Sequence, residues 1–212
     1  MKNMKKGFTL IEMLVSIALF SVVMVMALGA LLSLSVADRK AEALKSAVDN
    51  LNFALDSMSR VIRTGSGYHC GSVLGGDCPG GSNEFVFTAN TGVQTYYRLE
   101  SSVTDSLANA QTSCGQTAIS APMCGQATAA AGCLERSTDG INWAAITGPN
   151  VVIQDFSANG GYPFYVFGSA VGSADNRQPI VIMTIGGYTQ VSASQQGCFH
   201  VQSAVTQRIY DQ

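Results

Sequence analysis

The amino-acid sequence predicts an α+β protein in which one long N-terminal helix packs on an antiparallel β-sheet. The first observation is a run of 25 uncharged residues, Met13–Ala37, followed by an amphipathic segment with no proline before Pro79. The second is a change of composition after Thr64, where short apolar or aromatic segments alternate with glycine-containing turns. Such a helix and sheet can each bury an apolar face against the other.

The first half of the predicted helix is long enough to cross a membrane. A hydrocarbon core of about 30 Å needs ~20 helical residues, and Met13–Ala37 exceeds that length. Charged residues at 38–40 predict emergence into water, and Gly65 and Gly67 predict the end of the helix, so we expect it to run from about Phe8 to about Arg63. An isolated coiled coil is disfavoured because about 150 further residues need a packing surface. Between the charges and the glycines, a predicted apolar stripe recurs at spacings of three and four: Ala41, Leu44, Val48, Leu51, Leu55, Met58 and Ile62.

The segment after Thr64 predicts a sheet of short antiparallel strands. Thr138-Asp139-Gly140 predicts a hairpin turn, and Gly186-Gly187 predicts the end of a strand. Residues 105–132 are poor in large apolar side chains, so we expect a long loop there. The predicted strands are Glu84–Thr88, Gln94–Glu100, Cys133–Ser137, Ile141–Thr147, Asn150–Ser157, Phe164–Gly168, Ile180–Ile185 and Cys198–Ile209.

The segment Gly7–Glu12 carries the most specific signal in the chain. It follows Lys2, Lys5 and Lys6, and its last residue, Glu12, directly precedes the apolar run. An ionised side chain in hydrocarbon costs ~2.5–3.5 kcal/mol, so a carboxylate retained there indicates a function. A cleaved secretory signal has a shorter apolar core, of roughly 7–15 residues. An ordinary signal anchor accounts for the length but gives no reason for Glu12.

With this basic leader, the Gly7–Phe8 junction, Glu12 and the helix behind them, the N-terminus resembles type IV prepilins and type II secretion pseudopilins. The head resembles J-type minor pseudopilins and related minor pilins more loosely, through Leu51–Arg63, Asp139–Trp143 and Phe199–Arg208. The resemblance implies a lollipop-shaped, non-enzymatic structural subunit. Its segments would be a prepilin leader (1–7), a transmembrane and filament-core helix (8–37), the amphipathic half of that helix (38–63), and a β-rich, disulfide-containing head (64–212).

The resemblance also implies roles for single residues. A prepilin peptidase would cleave between Gly7 and Phe8 and methylate the new amine of Phe8, while the leader lysines stay in the cytoplasm. Glu12 would act in assembly by pairing with the Phe8 amine of a neighbouring subunit, because pairing offsets the cost of two buried charges. The size of the head and the ending at Arg208 favour a minor component near the tip of a pilus or pseudopilus.

The partners implied are the prepilin peptidase, other pilin or pseudopilin subunits, an inner-membrane assembly platform and, before assembly, membrane lipid. The protein would cross the inner membrane once, with its head outside the cytoplasm. No cofactor is expected, and no specific nucleic acid, because loss of the leader leaves nine basic against fourteen acidic residues. The alternatives are a major type IV pilin and, from another class, a membrane-anchored extracellular binding module. Its ligand face would comprise Tyr96, Tyr97, Trp143, Tyr162, Phe164 and Tyr165.

All six cysteines lie in the predicted head. An even count in an oxidising compartment indicates disulfides, and six cysteines allow 15 connectivities. A zinc site that includes His69 is the alternative, but the chain has no C-x-x-C pair. The predicted pairs are Cys70 with Cys78, Cys114 with Cys124, and Cys133 with Cys198.

Motifs for catalysis are missing from the sequence. It contains no G-x-S-x-G, no H-E-x-x-H and no P-loop. The glycine-rich segment 71–81 lacks a lysine and a following helix, so we interpret it as a turn held by a disulfide. Asp77 and Glu84 lack the ligand spacing of a calcium loop, and His200 is predicted to face solvent on a strand. We therefore expect neither an enzyme nor a metal site.

Overall fold

The structure, a computed structural model, describes residues 7–71, 76–101, 130–148, 151–155, 161–169, 178–192 and 195–208 of the 212-residue chain. The chain divides into two compact units, residues 1–41 and 42–212. Helix α1, Leu10–Arg63, contributes residues to both, and its bounds agree with the predicted helix.

The part of α1 in the first unit is apolar on all sides. Its large side chains are exposed from Leu10 to Val36, and Phe8 ahead of the helix is exposed as well. By length and composition this helix can cross a membrane, as predicted. A helix that is apolar on all sides is normally buried. The exposed surface of this segment therefore needs lipid or other helices around it.

The second unit holds an antiparallel sheet on which the rest of α1 packs. The strand order is β1-β3-β4-β5-β7-β9-β8-β2, with β6 paired to β5 and β10 paired to β9. The strands are β1 Ser66–Cys70, β2 Cys78–Ser82, β3 Glu84–Thr88, β4 Gln94–Ser101, β5 Ala130–Ser137, β6 Ala144–Ala145, β7 Val151–Asp155, β8 Phe164–Phe167, β9 Ile180–Ser192 and β10 Gln195–Thr206.

The core forms where the apolar stripe of α1 meets one face of this sheet. Leu51, Met58 and Ile62 are fully buried there, together with a stacked pair of rings, Phe85 and Phe87. Burying one such side chain stabilises the fold by roughly 1.5–3 kcal/mol. The predicted stripe is confirmed except at Ala41, which is exposed, and two alanines that were not in it are buried: Ala47 and Ala54.

Tyr68 and Arg208 satisfy backbone carbonyls at the end of α1. The Tyr68 hydroxyl donates to the carbonyl oxygens of Ile62 (2.6 Å) and Gly65 (2.9 Å). The Arg208 backbone N–H donates to the carbonyl oxygen of Arg63 at 2.8 Å. Because the last four carbonyls of a helix have no intrahelical partner, these bonds fix the point where α1 joins the sheet.

The predicted strands differ from the observed ones at several places. Strand β3 has the predicted bounds, whereas the predicted strand Ile141–Thr147 is reduced to Ala144–Ala145. The hairpin β5–β6 exists, but residues 138–143 form a wider loop than a tight turn. Strands β1 and β2 were not predicted, because glycine and cysteine give little strand signal. The predicted loop 105–132 lies outside the described residues except at 130–132, which belong to β5.

The predicted strand end at Gly186-Gly187 is wrong, because β9 continues to Ser192. At Gly187 the sheet is so tight that a Cβ atom would overlap the carbonyl oxygen of Val152 on β7. Glycine within a strand often marks such a close backbone approach rather than a turn. Gly187 therefore permits the pairing of β7 with β9 instead of ending β9.

Candidate functional site

Thr9 sets the point where α1 begins. Its side-chain oxygen accepts a hydrogen bond from the Glu12 backbone N–H at 3.3 Å, and its carbonyl accepts one from Met13 N–H at 3.2 Å. Thr9 is therefore the N-cap, and Glu12 occupies the third helical position, the T-x-x-E spacing of a capping box. The partial positive charge at a helix N-terminus favours a carboxylate in this first turn.

Gly7 and Phe8 precede the helix and are exposed. Nothing lies within 4 Å of the place where a Cβ of Gly7 would stand. No packing contact in the described chain therefore requires glycine here, so a requirement for it would come from an external partner such as a processing enzyme. The leader lysines at 2, 5 and 6 lie outside the described residues.

The Glu12 side chain has no opposite charge near it within the described part of the chain. No salt bridge involves it there. The next charged residue along the helix is Asp38, 26 residues on, which is roughly 39 Å at 1.5 Å per residue. The hydroxyl of Ser16 donates to the Glu12 backbone carbonyl at 2.7 Å and so satisfies itself inside the helix. Within the described residues, therefore, no cation neutralises the Glu12 carboxylate.

A buried ion-pair cluster lies on the face of the sheet opposite α1. Arg98 Nε donates to Glu135 Oε2 at 2.9 Å, and Arg98 Nη2 lies 2.9 Å from Glu100 Oε2. The guanidinium carbon stands 4.0 Å from the centroid of the Trp143 ring, a cation–π arrangement. Glu135 is fully buried, so Arg98 is what makes its charge tolerable.

The loop between β5 and β6 is organised by Asp139. Its carboxylate accepts hydrogen bonds from the Ser137 hydroxyl and from the backbone N–H groups of Ile141 and Asn142, at 2.7–2.8 Å. Hydrogen bonds from the Asn142 backbone and side chain, then from Ile141, hold the pKa of Asp139 well below its usual range. Trp143, the ring on which Arg98 stacks, directly follows Asn142 in this loop.

The aromatic ligand face predicted for a binding module is not formed. Tyr97 and Phe164 belong to the core beneath α1, and burial raises the pKa of the Tyr97 hydroxyl although Arg136 lowers it in part. On the opposite face, Tyr96 packs edge-on against Trp143 with ring centroids 6.3 Å apart. The strand register separates these rings because alternate residues face opposite sides of a sheet.

One predicted disulfide, between Cys70 and Cys78, is confirmed. It joins β1 to β2, the two ends of the main strand order, with 6.1 Å between the Cα atoms. The zinc alternative is therefore wrong for both sulfurs, and His69 Nδ1 lies 3.1 Å from the carbonyl oxygen of Gly71. No cluster of three metal-binding side chains occurs among the residues that the structure describes. His200 is exposed on β10, as predicted.

The predicted bridge between Cys133 and Cys198 is wrong, although both residues are disulfide-bonded. Cys133 on β5 and Cys198 on β10 are separated in the sheet by β7 and β9. Three strand spacings of about 4.8 Å are far more than the ~4.4–6.8 Å between the Cα atoms of a disulfide. The predicted pair Cys114–Cys124 lies outside the described residues.

Two groups of residues at these sites were missed by the sequence analysis. The T-x-x-E spacing of Thr9 and Glu12 is a local signal that identifies the N-cap. The cluster of Arg98, Glu100 and Glu135 has no comparable signal, because Glu135 is 37 residues from Arg98 and meets it only through the register of β4 and β5.

A comparison with protein families matched residues 2–36 to the family described as "Prokaryotic N-terminal methylation motif". The matched range includes Gly7, Phe8, Glu12 and most of the exposed apolar helix. A motif of this type implies cleavage by a prepilin peptidase and assembly with other pilin subunits. Neither the curated proteins nor the solved structures gave a match.

Proposed function

We propose that this chain, whose residues 2–36 match the prokaryotic N-terminal methylation motif of type IV prepilin-like proteins, is a minor pilin or pseudopilin. It would be a structural subunit that assembles through its N-terminal helix into a type IV pilus or a type II secretion pseudopilus, near the tip. The main support is Glu12, which has no cationic partner in the described chain and lies at the capped start of an exposed apolar helix.

The first step we propose is cleavage between Gly7 and Phe8. The junction is exposed and lies outside the helix, because the Thr9 cap starts α1 just beyond it. A junction outside a helix can enter a protease site without unwinding that helix. Cleavage gives Phe8 a free amine, and methylation of that amine leaves it cationic. The leader lysines keep this reaction at the cytoplasmic face of the inner membrane, with the head exported.

The second step is pairing of Glu12 with the Phe8 amine of a neighbouring subunit. In an apolar filament core each charge alone costs several kcal/mol, and a pair recovers much of that cost. Since Phe8–Ala37 contains no other charge, a single axial stagger between two helices satisfies both groups. A lone polar group sets register in coiled coils in the same way. The assembly platform and its energy source lie outside this chain.

A minor subunit should be scarce in the filament. The head, 64–212, is large for a unit repeated along a filament, which favours a place at the tip. Quantitative mass spectrometry of sheared filaments should find this protein far below the stoichiometry of the main subunit. If it is instead the most abundant filament protein, it is a major pilin.

A further inference from the structure

The sheet of the second unit has a gap along one side of β9. Strand β8 pairs with β9 at Ile180–Met183, and β7 pairs with it at Gly187–Thr189. Between them, Thr184–Gly186 has no register partner in β7 or β8, although Thr184 N–H donates to the carbonyl oxygen of Pro163 at 2.9 Å. A cleft of about 210 Å³ lies at this seam.

The walls of the cleft are mostly apolar, with a few polar groups. Ile153 and Ile185 form part of the wall, and Tyr162 and Pro163 present rings. No acidic side chain, lysine or arginine lines the cleft among the described residues, and His200 is the one histidine among them. Small-molecule sites have this composition: apolar walls and a few placed polar groups. The lining favours a neutral ligand.

Gln154 supplies the polar group that such a ligand would need. Its side chain lines the cleft and is 2% exposed, yet neither Oε1 nor Nε2 has a hydrogen-bond partner within the described structure. Buried polar side chains are nearly always paired, so both a donor and an acceptor left open are unusual. The two atoms stand side by side on one carboxamide, and their complement is another amide that donates and accepts at once.

We propose that this cleft binds a small neutral amide, with Gln154 as the residue that recognises it. The ligand carbonyl accepts from Nε2 and the ligand N–H donates to Oε1, while its methyl or methylene groups pack on the apolar wall. An apolar cavity of about 150 Å³ holds a benzene ring, so 210 Å³ has room for an amide with its substituents. Such an amide could be a peptide bond or a primary carboxamide. This binding function does not depend on filament assembly.

Binding of N-methylacetamide, acetamide and methyl acetate to the full chain in detergent, followed by protein-observed NMR, tests this site. N-methylacetamide represents a peptide bond, and acetamide represents a primary carboxamide. Methyl acetate matches N-methylacetamide in size but lacks the N–H. We expect saturable shifts at Tyr162 and Gly186 with at least one amide, and about tenfold weaker binding of the ester, because Oε1 then stays unpaired. This comparison of ligands uses the unaltered protein and needs no variant.

The variant Gln154→Met removes both polar atoms at similar length. We expect it to weaken amide binding about tenfold and to raise the Tm by about 2–4 °C, because an unpaired buried amide no longer has to be accommodated. Gln202→Met, at an exposed glutamine on strand β10, should leave both quantities unchanged. The absence of saturable shifts with both amides would overturn the proposed site. Binding of the ester as tight as that of N-methylacetamide, or amide binding by Gln154→Met as tight as that of the unaltered protein, would overturn amide recognition by Gln154.

Discussion

Replacement of Glu12 by lysine should abolish incorporation of this protein into filaments while leaving it in the membrane. In the proposed filament Glu12 faces the Phe8 amine of a neighbour, so a lysine places two positive charges together in an apolar core. Removing one partner of a buried pair costs about 3–5 kcal/mol, and like charges add to that. At ~1.4 kcal/mol per factor of ten, the fraction assembled should fall by more than about a hundredfold.

The matched control is Glu42→Lys, which reverses an exposed acid on the same helix beyond the apolar segment. Both variants change the net charge equally, so only a role specific to Glu12 separates them. Glu12→Gln should assemble poorly but better than Glu12→Lys, because it removes the attraction without adding repulsion. The ratio of protein in sheared filaments to protein in membranes measures the effect. Equal assembly of Glu12→Lys and Glu42→Lys would contradict the role of Glu12.

Replacement of Arg98 by methionine should destabilise the head by about 3–5 kcal/mol. The variant keeps much of the packing on Trp143 but leaves Glu135 as a buried carboxylate without its cation. Oxygen Oε1 of Glu135 already has no hydrogen-bond partner in the described structure, so nothing else compensates the charge there. Chemical denaturation of the full chain in detergent, followed by tryptophan fluorescence of Trp143, measures the loss.

The control for this variant is Arg60→Met. Arg60 and Asp56 form a slightly shorter ion pair, 2.7 Å, on the exposed face of α1. An exposed pair contributes about 0–1 kcal/mol, so its loss should scarcely change stability. The double variant Arg98→Met/Glu135→Gln should regain part of the stability, because no charge remains buried alone. If Arg98→Met and Arg60→Met lower the free energy of unfolding by similar amounts, the Arg98 cluster contributes no more to stability than an exposed ion pair.

The sequence predicted those parts of the fold that depend on local periodicity. The bounds of α1 and most of its buried stripe follow from spacings near 3.6 residues, and β3 follows from a dense apolar segment. The predicted strand end at Gly187 was wrong, because what requires glycine there is the carbonyl of Val152, 35 residues away in sequence. The position of a glycine in the chain does not distinguish a turn from a close approach of two strands.

Contacts set by strand register could not be predicted either, because their partners are also distant in sequence. The salt bridge of Arg98 with Glu135 and the separation of Cys133 from Cys198 both depend on which strands are neighbours. Short loop length was a sound guide for Cys70 and Cys78, since their partnership is nearly local. Loop length gave no information on Cys133 and Cys198, which were paired only because the other four cysteines had already been assigned. Whether these two can meet depends on the order of the strands across the sheet.

The mass of the N-terminus after co-expression with an active prepilin peptidase tests the pilin-like assignment most directly. A second prepilin in the same cells reports that the peptidase is working. We expect a mature chain that begins at Phe8 and carries one added methyl group. An intact Met1, with the second prepilin fully processed, would contradict the assignment and leave the helix as a plain membrane anchor.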